Sequence, residues 1–545
     1  MAKRKNGGFL GIVKRERGDG DYAGDQHGGA SGTVGSGLPD GFPGNFMFAT
    51  GIECSYPMIR HGHLRRDQLK ECGHYDHWKD DLRLVQELGL KVLRYGLPYY
   101  KIHRSPGEYE WDFADAVMNE MQRLNITPIL DLLHFGVPSW IGDFQNPELP
   151  VHFAEYADAI ATRYPWVRYY TPVNEIYVTA KMSAKEGLWN EQLKDDKAFV
   201  TALKHAVAAS ILATHAIAQR RPDCVIVQSE SAEYMHEARA EQSPKVALEN
   251  KQRLLSLDLL YAHQPDADVY QYMMDNGMTR EEYEWFMAGE PPGYQIMGND
   301  YYGRNEKILL PDGSISTGED VMGWYLITKE YYERYKKPVM HTETNHFDPK
   351  EASNWLWKQW VNVLRMRKDG VPVLGFTWYS LIDQIDWDSA LGKKRGHVNE
   401  CGLFDLKRKI RPVGNAYRML LEEFGQITIV PHGEVFEVTD RPARLKVEVL
   451  AMKYLVNGTV VHVVERDAGG GSINESRPAL IFLHHFGGSS RAWREVTARL
   501  ARDYICIVPD LRGFGESTSD DLSEADYMLE GYADDIAALI DQFGV

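Results

Sequence analysis

The chain has 545 residues, of which 43% are hydrophobic and 26% charged, an ordinary composition for a globular protein. Its 61 Lys and Arg residues and 78 Asp and Glu residues give a net charge of −17 at pH 7. This balance argues against general nucleic-acid or anionic-membrane binding, which require basic surfaces. The length exceeds one ordinary core, so we expect one large domain and a smaller one.

Residues 1–40 are rich in Gly, Ser and Asp and are predicted to form a disordered tail. The basic start has no apolar segment of the kind found in secretion signals, and no run of 18 apolar residues predicts a membrane span. The five cysteines are scattered without zinc-like spacing. We therefore expect reduced thiols, a cytoplasmic chain, and neither a metal nor a cofactor.

Residues 41–425 alternate short apolar runs with amphipathic segments. Eight strand-then-helix units over this length predict a (β/α)8 TIM barrel, although a doubly wound sheet also alternates strand and helix. The predicted strands are "FMFATG" (46–51), "KVLRYGL" (91–97), "TPILDLLH" (127–134), "VRYYTPVNE" (167–175), "CVIVQSES" (224–231), "YQIMGNDYY" (294–302), "KPVMHTE" (337–343) and "PVLGFTWYS" (372–380).

Polar and aromatic side chains fall at or near the carboxyl ends of these strands. In a closed barrel those ends converge on one site, whereas an open sheet would spread them apart. This placement favours the barrel. The residues concerned are Arg94, His134, Asn174, Glu175, Tyr301, Glu343 and Trp378.

Two of these residues are glutamates that end different strands, Glu175 after the fourth and Glu343 after the seventh. Across a barrel mouth they would face each other. Glycoside hydrolysis uses such a pair, in which one carboxylic acid protonates the leaving oxygen and the other carboxylate attacks or activates water. Two neighbouring buried carboxyl groups also tend to hold different charge states.

The segment 42–425 resembles family 1 glycoside hydrolases, which are retaining β-glycosidases on a (β/α)8 barrel. "TPVNEI" is similar to the family motif Thr-x-Asn-Glu-Pro, and "HTETN" is similar to Thr-Glu-Asn-Gly. "LLHFGVPSW", "MGNDYYG" and "FTWYSLIDQIDWDS" are similar to further family segments in the same order. The resemblance implies a small-molecule glycoside as substrate.

The resemblance also implies a role for individual residues. Glu175 would be the acid/base and Glu343 the nucleophile. Asn174 would bind the sugar 2-hydroxyl, Arg94 would keep Glu343 ionised, and Tyr301 would donate to Glu343. Arg94 could instead be a structural partner of any buried carboxylate, and Tyr301 could bond the backbone.

Four more residues receive implied substrate-binding roles. His134 would bind sugar hydroxyls, Trp378 would be the apolar platform under the ring, and Asp386 and Trp387 would take its polar edge. Each has an alternative: a core histidine for His134, barrel packing for the two tryptophans, and a helix cap for Asp386.

Three departures from the family pattern concern recognition. The family glutamine that reads sugar hydroxyls aligns with Pro57, the family Glu-Trp pair is Asp386-Trp387, and Ile176 replaces a proline. We therefore expect standard bond-breaking machinery and changed sugar recognition. Phospho-sugar members usually lack an acidic residue at position 386, and the nearby "GKKR" (392–395) is interpreted as a solvated loop.

Residues 426–545 are predicted to form a second, smaller α/β unit, with a hairpin at Asn457-Gly458. "IFLHHFGGSSRAW" and "VPDLRGFGES" resemble the start of an α/β-hydrolase, but no G-x-S-x-G nucleophile elbow follows within this segment. We expect a partial domain without serine-hydrolase activity. It could associate with a second copy or a partner chain through an exposed strand edge.

Two functions are consistent with these observations. The first is a retaining β-glycosidase with Glu343 and Glu175 in the roles above. The second is an inactive barrel of the same fold that serves as a carbohydrate-binding or scaffolding module.

Overall fold

The computed structural model divides the chain into two compact units, Met1–Val435 and Phe436–Val545. Their division lies ten residues beyond the boundary predicted after residue 425. The structure describes residues 45–238, 243–318, 320–427, 448–457, 459–467, 478–485, 488–493, 496–497, 500–501, 504–515, 517–519 and 528–543. The predicted tail over residues 1–40 lies outside the described residues.

The first unit is built on a closed barrel of eight strands. All neighbouring pairs are parallel, and the order around the barrel is β1-β8-β7-β6-β5-β4-β3-β2. The TIM-barrel prediction is therefore confirmed, and the doubly wound alternative is wrong. The strands are β1 (Met47–Ile52), β2 (Val92–Gly96), β3 (Thr127–Leu133), β4 (Tyr169–Val173), β5 (Val225–Ser231), β6 (Tyr294–Asp300), β7 (Val339–Glu343) and β8 (Val373–Trp378).

Helices surround the barrel. The principal ones are α1 (His74–Glu87), α2 (Asp112–Arg123), α3 (Leu149–Arg163), α4 (Asp196–Arg220), α5 (Leu255–Leu260), α6 (Gly323–Tyr335), α7 (Ala352–Lys368) and α8 (Pro412–Phe424). Shorter helices are Gln68–Glu71, Tyr99–Ile102, Ile176–Ala180, Pro244–Gln252, Ala267–Asp275 and Arg280–Phe286, with a π-helical turn at Lys181–Lys185.

Short strand pairs decorate the loops. They comprise Met58–Ile59 with Leu64–Arg65, His103–Ser105 with Glu108–Tyr109, and Gln384–Ile385 with Val398–Asn399. A three-stranded sheet joins Tyr234–Glu237, Glu306–Leu309 and Ile315–Thr317. Two 3-10 turns lie at Gly303–Asn305 and Trp387–Ser389.

The barrel is filled by side chains, as in other barrels of this size. Met47, Ile129, Val225, Met340 and Leu374 belong to one buried cluster contributed by five different strands. A larger buried cluster joins the outer faces of the strands to the helices. The interior is therefore packed, and a ligand site has to lie at an end of the barrel.

The length and apolar composition of helix α4 would suffice to cross a membrane. Of its most apolar window, 89% is buried inside the protein. A core helix passes the same test of composition, and the burial identifies α4 as one.

The second unit contains β9 (Glu448–Val456), β10 (Thr459–Asp467), β11 (Ala479–Ile481), β12 (Ile505–Pro509) and α9 (Leu529–Phe543). The sheet order is β9-β10-β12-β11, with Thr518–Ser519 pairing with β10, and a 3-10 turn lies at Ser490–Trp493. Val456 pairs with Thr459, as the hairpin predicted at Asn457-Gly458 requires. The predicted second α/β unit is present.

Candidate active site

The carboxyl ends of the barrel strands surround a cavity of about 310 Å³. Both predicted glutamates line it, although they lie on strands far apart in sequence. The wall consists of Glu53, His134, Phe135, Glu175, Val178, Met182, Ser231, Glu233, Tyr302, Arg304, Asn305, Lys307, Ile315, Ser316, Thr317, Glu343, Gln384, Trp387 and Ala390.

Glu343 is the last residue of β7 and is 4% exposed. Its Oε1 accepts a hydrogen bond from Arg94 Nη1, and its Oε2 accepts one from the Tyr302 hydroxyl at 2.6 Å. One cationic and one phenolic donor therefore hold the two carboxylate oxygens separately. Charge-assisted bonds of this kind stabilise the ionised form and fix its orientation.

Arg94, at the centre of β2, connects the floor of the site. It donates to Asp131 Oδ2 at 2.9 Å and to Asn174 Oδ1, besides Glu343. Burial alone would lower the pKa of Arg94, but the carboxylates of Asp131 and Asp300 raise it above its ordinary value. The guanidinium is therefore a fixed charge around which strand ends are arranged.

Glu175 has a contrasting environment. No described side chain donates a hydrogen bond to its carboxyl group, and the residue is 7% exposed. Burial raises the pKa of Glu175 well above its ordinary value, and the carboxylates of Asp300, Glu230 and Glu233 add to this, while Arg94 opposes it. The environment therefore favours a protonated Glu175.

The backbone at Glu175 is held in an unusual conformation. Its φ of 39° and ψ of 64° are left-handed, which is uncommon for a residue with a side chain. Its N–H donates to Ser229 O at 2.9 Å, and the N–H of Tyr177 donates to the Glu230 carboxylate at 3.2 Å. The end of β5 thus fixes the backbone on both sides of Glu175, as strained functional positions require.

The prediction for Tyr301 is wrong in its contact. Its hydroxyl oxygen lies 2.7 Å from Glu306 Oε1 and 2.8 Å from Asp320 Oδ1, which share its one hydrogen, and its ring stacks on Trp355 of α7 with centroids 5.9 Å apart. The next residue, Tyr302, supplies the bond to Glu343. Consecutive residues of an extended chain point to opposite sides. An assignment that is one residue too early therefore selects the tyrosine that points away from the cavity.

The platform role predicted for Trp378 is also not supported. Trp378 is fully buried, its Nε1 donates to Cys401 O at 2.9 Å, and it is absent from the described cavity wall. The following residue, Tyr379, has its ring 5.6 Å from the Arg94 guanidinium and parallel to the His134 ring at 6.3 Å. Gly51 makes room for this ring, since a Cβ there would lie 2.3 Å from it.

Asp386 was predicted to take the polar edge of the sugar, and the structure uses its carboxylate elsewhere. Oδ2 accepts from Arg66 at 3.0 Å and from the N–H groups of Arg395 and Gly396, and Oδ1 accepts from His397 N. Burial opposes the charge, but these donors lower the pKa of Asp386 overall. The carboxylate therefore holds the loop around residue 395, and its geometry leaves it no part in the cavity wall.

Three predicted residues do lie around the cavity floor or wall. His134 lines the cavity, with Nδ1 2.8 Å from Asp131 Oδ2 and Nε2 3.1 Å from the Asn174 amide nitrogen. Asn174 is fully buried between His134 and Arg94. Trp387 lines the cavity, and its indole N–H is buried without a partner among the described residues. Their sugar-binding roles stay predictions.

Sequence reasoning missed further residues at the site. Glu53 follows β1 directly and lines the cavity, whereas Pro57, the position aligned with the family glutamine, does not. Asp300 is the last residue of β6, and Asp131 lies inside β3, two residues before its end. Position at a strand end was the available signal for Glu53 and Asp300, while the contact of Asp131 with Arg94 depends on the barrel register.

Ligand atoms of Cys54, Asp131 and His134 lie within 4.8 Å of one another, the only group of this kind among the described residues. Asp131 already binds the guanidinium of Arg94 and the ring of His134. A metal ion there would stand beside a fixed cation. We therefore assign no metal to this group.

A closed parallel barrel has two buried glutamates at one mouth, one held by a cation and one with no side-chain donor in the described part of the chain. This arrangement defines a barrel of the glycosidase class. Residues 59–286 match the model of Glycosyl hydrolase family 1. Residues 478–545 match the model of the alpha/beta hydrolase fold. The first unit of this chain is therefore similar to glycosyl hydrolase family 1 over residues 59–286 of the barrel.

Known relatives agree with this assignment. A 6-phospho-beta-glucosidase of Clostridium longisporum is 25% identical over 398 residues, which cover 60% of this chain and 80% of that protein. Beta-glucosidase A of Thermotoga maritima is 20% identical over 365 residues, covering 60% and 81%. The solved structure of a family 1 beta-glucosidase from Thermotoga maritima superposes with a TM-score of 0.59 at 19% identity, covering 70% of this chain and 98% of that one.

The structural role of Asp386 can be tested by limited trypsin digestion. Lys393, Lys394 and Arg395 lie in the loop that the Asp386 carboxylate holds. Replacing Asp386 by Ala removes the acceptor of three backbone N–H groups and of Arg66, so cleavage in this loop should become at least severalfold faster. Asp388→Ala, which removes only an exposed partner of Arg395, is the control. Equal cleavage rates in the two variants would contradict the assignment.

Proposed function

We propose that the barrel is a retaining β-glycosidase that hydrolyses a β-linked glycoside by double displacement. The observation that carries this proposal is that two carboxyl groups in one cavity have opposite electrostatic environments. Glu343 is held by Arg94 and Tyr302, while Glu175 is buried and receives no hydrogen bond from a described side chain. Environments that push two carboxyl groups into different charge states identify the base or nucleophile and the acid.

In the first step, a Glu343 oxygen attacks the anomeric carbon while Glu175 transfers its proton to the leaving oxygen. The bond to the aglycone breaks, and a glycosyl ester forms on Glu343. Arg94 and Tyr302 keep the attacking carboxylate ionised and oriented until its charge is consumed. Glu175, now a carboxylate, is the base required in the second step.

In the second step, Glu175 takes a proton from water, and the resulting hydroxide attacks the anomeric carbon from the face that the aglycone left. The ester bond to Glu343 breaks, and the sugar leaves with its original β configuration. Asp300, Glu230 and Glu233 favour reprotonation of Glu175, since all three raise its pKa. The two glutamates are thereby returned to their starting states.

Replacing Glu343 by Gln tests the proposal directly. The amide keeps the shape of the side chain but cannot act as the nucleophile. The kcat on 4-nitrophenyl β-glycosides should therefore fall by at least about 10³-fold, equivalent to an increase of about 4 kcal/mol in the activation free energy. The exposed Glu148→Gln is the control for an equal change of charge.

Mass spectrometry after treatment with a 2-fluoro glycoside separates the enzyme from the binding module. Covalent label on Glu343 is expected for the enzyme, with retention of configuration in the product by NMR. Reversible binding without label or turnover across a broad panel of aryl glycosides would favour the inactive module.

The pH dependence should report Glu175. Because its pKa is raised, the acid form is present below that pKa and is lost as the pH rises through it. The rate of the first step should therefore fall on the alkaline side for wild type. In Glu175→Gln this alkaline limb should be lost together with most activity on poor leaving groups. An unchanged alkaline limb in the variant would assign it to another group.

The two adjacent tyrosines allow a matched comparison. Tyr302→Phe removes a donor from Glu343 and should lower kcat/KM by about 10- to 100-fold, since hydrogen bonds to charged groups contribute about 1.5–3 kcal/mol. Tyr301→Phe removes bonds to Glu306 and Asp320, outside the cavity, and should mainly lower the thermal midpoint. Steady-state kinetics and thermal unfolding of both variants check this. The reverse pattern would restore the original prediction for Tyr301.

The second unit supports a more limited proposal. We propose that it associates with a second copy or a partner chain and that the protein acts in the cytoplasm. What supports association is a four-stranded path that ends in β11, a strand paired on one side only among the described residues. Size-exclusion chromatography with mass detection tests this, and a monomer at all concentrations would contradict it.

A further inference from the structure

Four carboxyl groups line the cavity, and three are accounted for by their partners or their charge state. Glu343 has Arg94 and Tyr302. Glu233 binds Lys181 at 2.8 Å and Lys307 at 3.4 Å, and although burial opposes it, these lysines lower the pKa of Glu233 to about 2. Glu175 is favoured in its protonated form by burial.

Glu53 is the exception. It is 2% exposed and lines the cavity, yet it accepts only two bonds from neutral donors, Ser55 N at 2.9 Å and Gln384 Nε2 at 3.3 Å. No Lys, Arg or His in the described part of the chain pairs with it. A carboxylate removed from water gains from every further donor, so a ligand that brings donors would complete this site.

The cations of the cavity are already engaged. Lys307 pairs with Glu233, and Arg304 is exposed, lies over the Phe347 ring at 3.8 Å and donates to Trp387 O at 3.0 Å. They belong to the segment after β6. Neither is paired with Glu53, so Glu53 has no cationic partner among the described residues.

The donor-rich loop at 395–397 is also occupied. Its backbone N–H groups bind the Asp386 carboxylate, and the Arg395 side chain binds Asp388. Arg66 donates hydrogen bonds to the carboxylates of Asp386 and Glu71 and to two backbone carbonyls. The Asp386 carboxylate thus occupies the N–H donors that an anionic ligand would need.

We propose that Glu53 is a specificity-determining residue that selects a glycone presenting hydrogen-bond donors, with a protonated amine preferred over a hydroxyl and a phosphate rejected. The inference rests on the proposed function and names the substrate class of that site. Gln384 holds the carboxylate toward the cavity, and the unpartnered Trp387 N–H offers a donor to a sugar oxygen. A phosphate would meet Glu53 in a poorly solvated cavity, where like charges repel strongly.

Equilibrium binding tests this without requiring turnover. Calorimetry on the full chain would use methyl 1-thio-β-D-glucosides, which resist hydrolysis, with a hydroxyl, an amine or a phosphate at C6, and the 3-amino analogue. We expect at least one amine to bind at least tenfold more tightly than the phosphate, with the hydroxyl compound between them. A phosphate that binds as tightly as the amines, or no binding by any compound, would overturn the inference.

Variants assign the effect to Glu53. In Glu53→Gln the ratio of amine to phosphate affinity should fall at least tenfold, whereas Glu53→Asp, which keeps the charge, should preserve the order. Glu87→Gln, an equal charge change at an exposed position of α1, is the control. A ratio that Glu53→Gln leaves unchanged contradicts the role of Glu53. If Glu53→Gln does not fold, the order of affinities in wild type and in Glu53→Asp still decides. Failure of the proposed function would appear separately, as absent turnover of aryl glycosides.

Discussion

The site depends on one buried guanidinium. Arg94 contacts residues at or near the carboxyl ends of three other strands, namely Asp131, Asn174 and Glu343. A buried cation is tolerable only where carboxylates and other acceptors surround it, so these strand ends have to converge for the fold to be stable. The same arrangement supplies the charge that holds Glu343 ionised. Stability of the barrel mouth and preparation of the nucleophile are therefore one interaction.

Glu175, the other carboxyl group of the reaction, has no cation of this kind bound to it among the described residues. Glu175 sits one residue beyond Asn174, yet its carboxyl group faces carboxylates more than donors. Burial also raises the pKa of Glu230 to about 8, although backbone N–H groups at Tyr177 and Ser231 oppose this. The two carboxyl groups of the reaction thus differ because one side of the mouth contains Arg94 and the other contains acidic groups.

Recognition is built differently from the bond-breaking machinery. Asp386, which the family resemblance places at the sugar, closes a loop with Arg66, and Glu53 from the end of β1 provides the carboxylate that faces the cavity. The relatives include both a beta-glucosidase and a 6-phospho-beta-glucosidase, so the family by itself leaves the charge of the glycone open. In this chain the carboxylate of Glu53, which has no cationic partner among the described residues, selects against a negatively charged glycone.

The sequence by itself predicted the eight strands and the two glutamates, because apolar runs and strand-end position are local properties of the chain. Closure into a barrel was favoured by the polar residues at the strand ends and implied by the family resemblance, and the tertiary structure decided it. The sequence also predicted the contact of Arg94 with Glu343, which the structure contains. Only the tertiary structure decided which of Tyr301 and Tyr302 faces inward, that Tyr379 rather than Trp378 lies against Arg94, and that Asp386 is turned away while Glu53 lines the cavity. These choices depend on the direction of single side chains after a strand ends. There, no repeating pattern constrains the backbone, and distant partners such as Arg66 and Gln384 set the outcome.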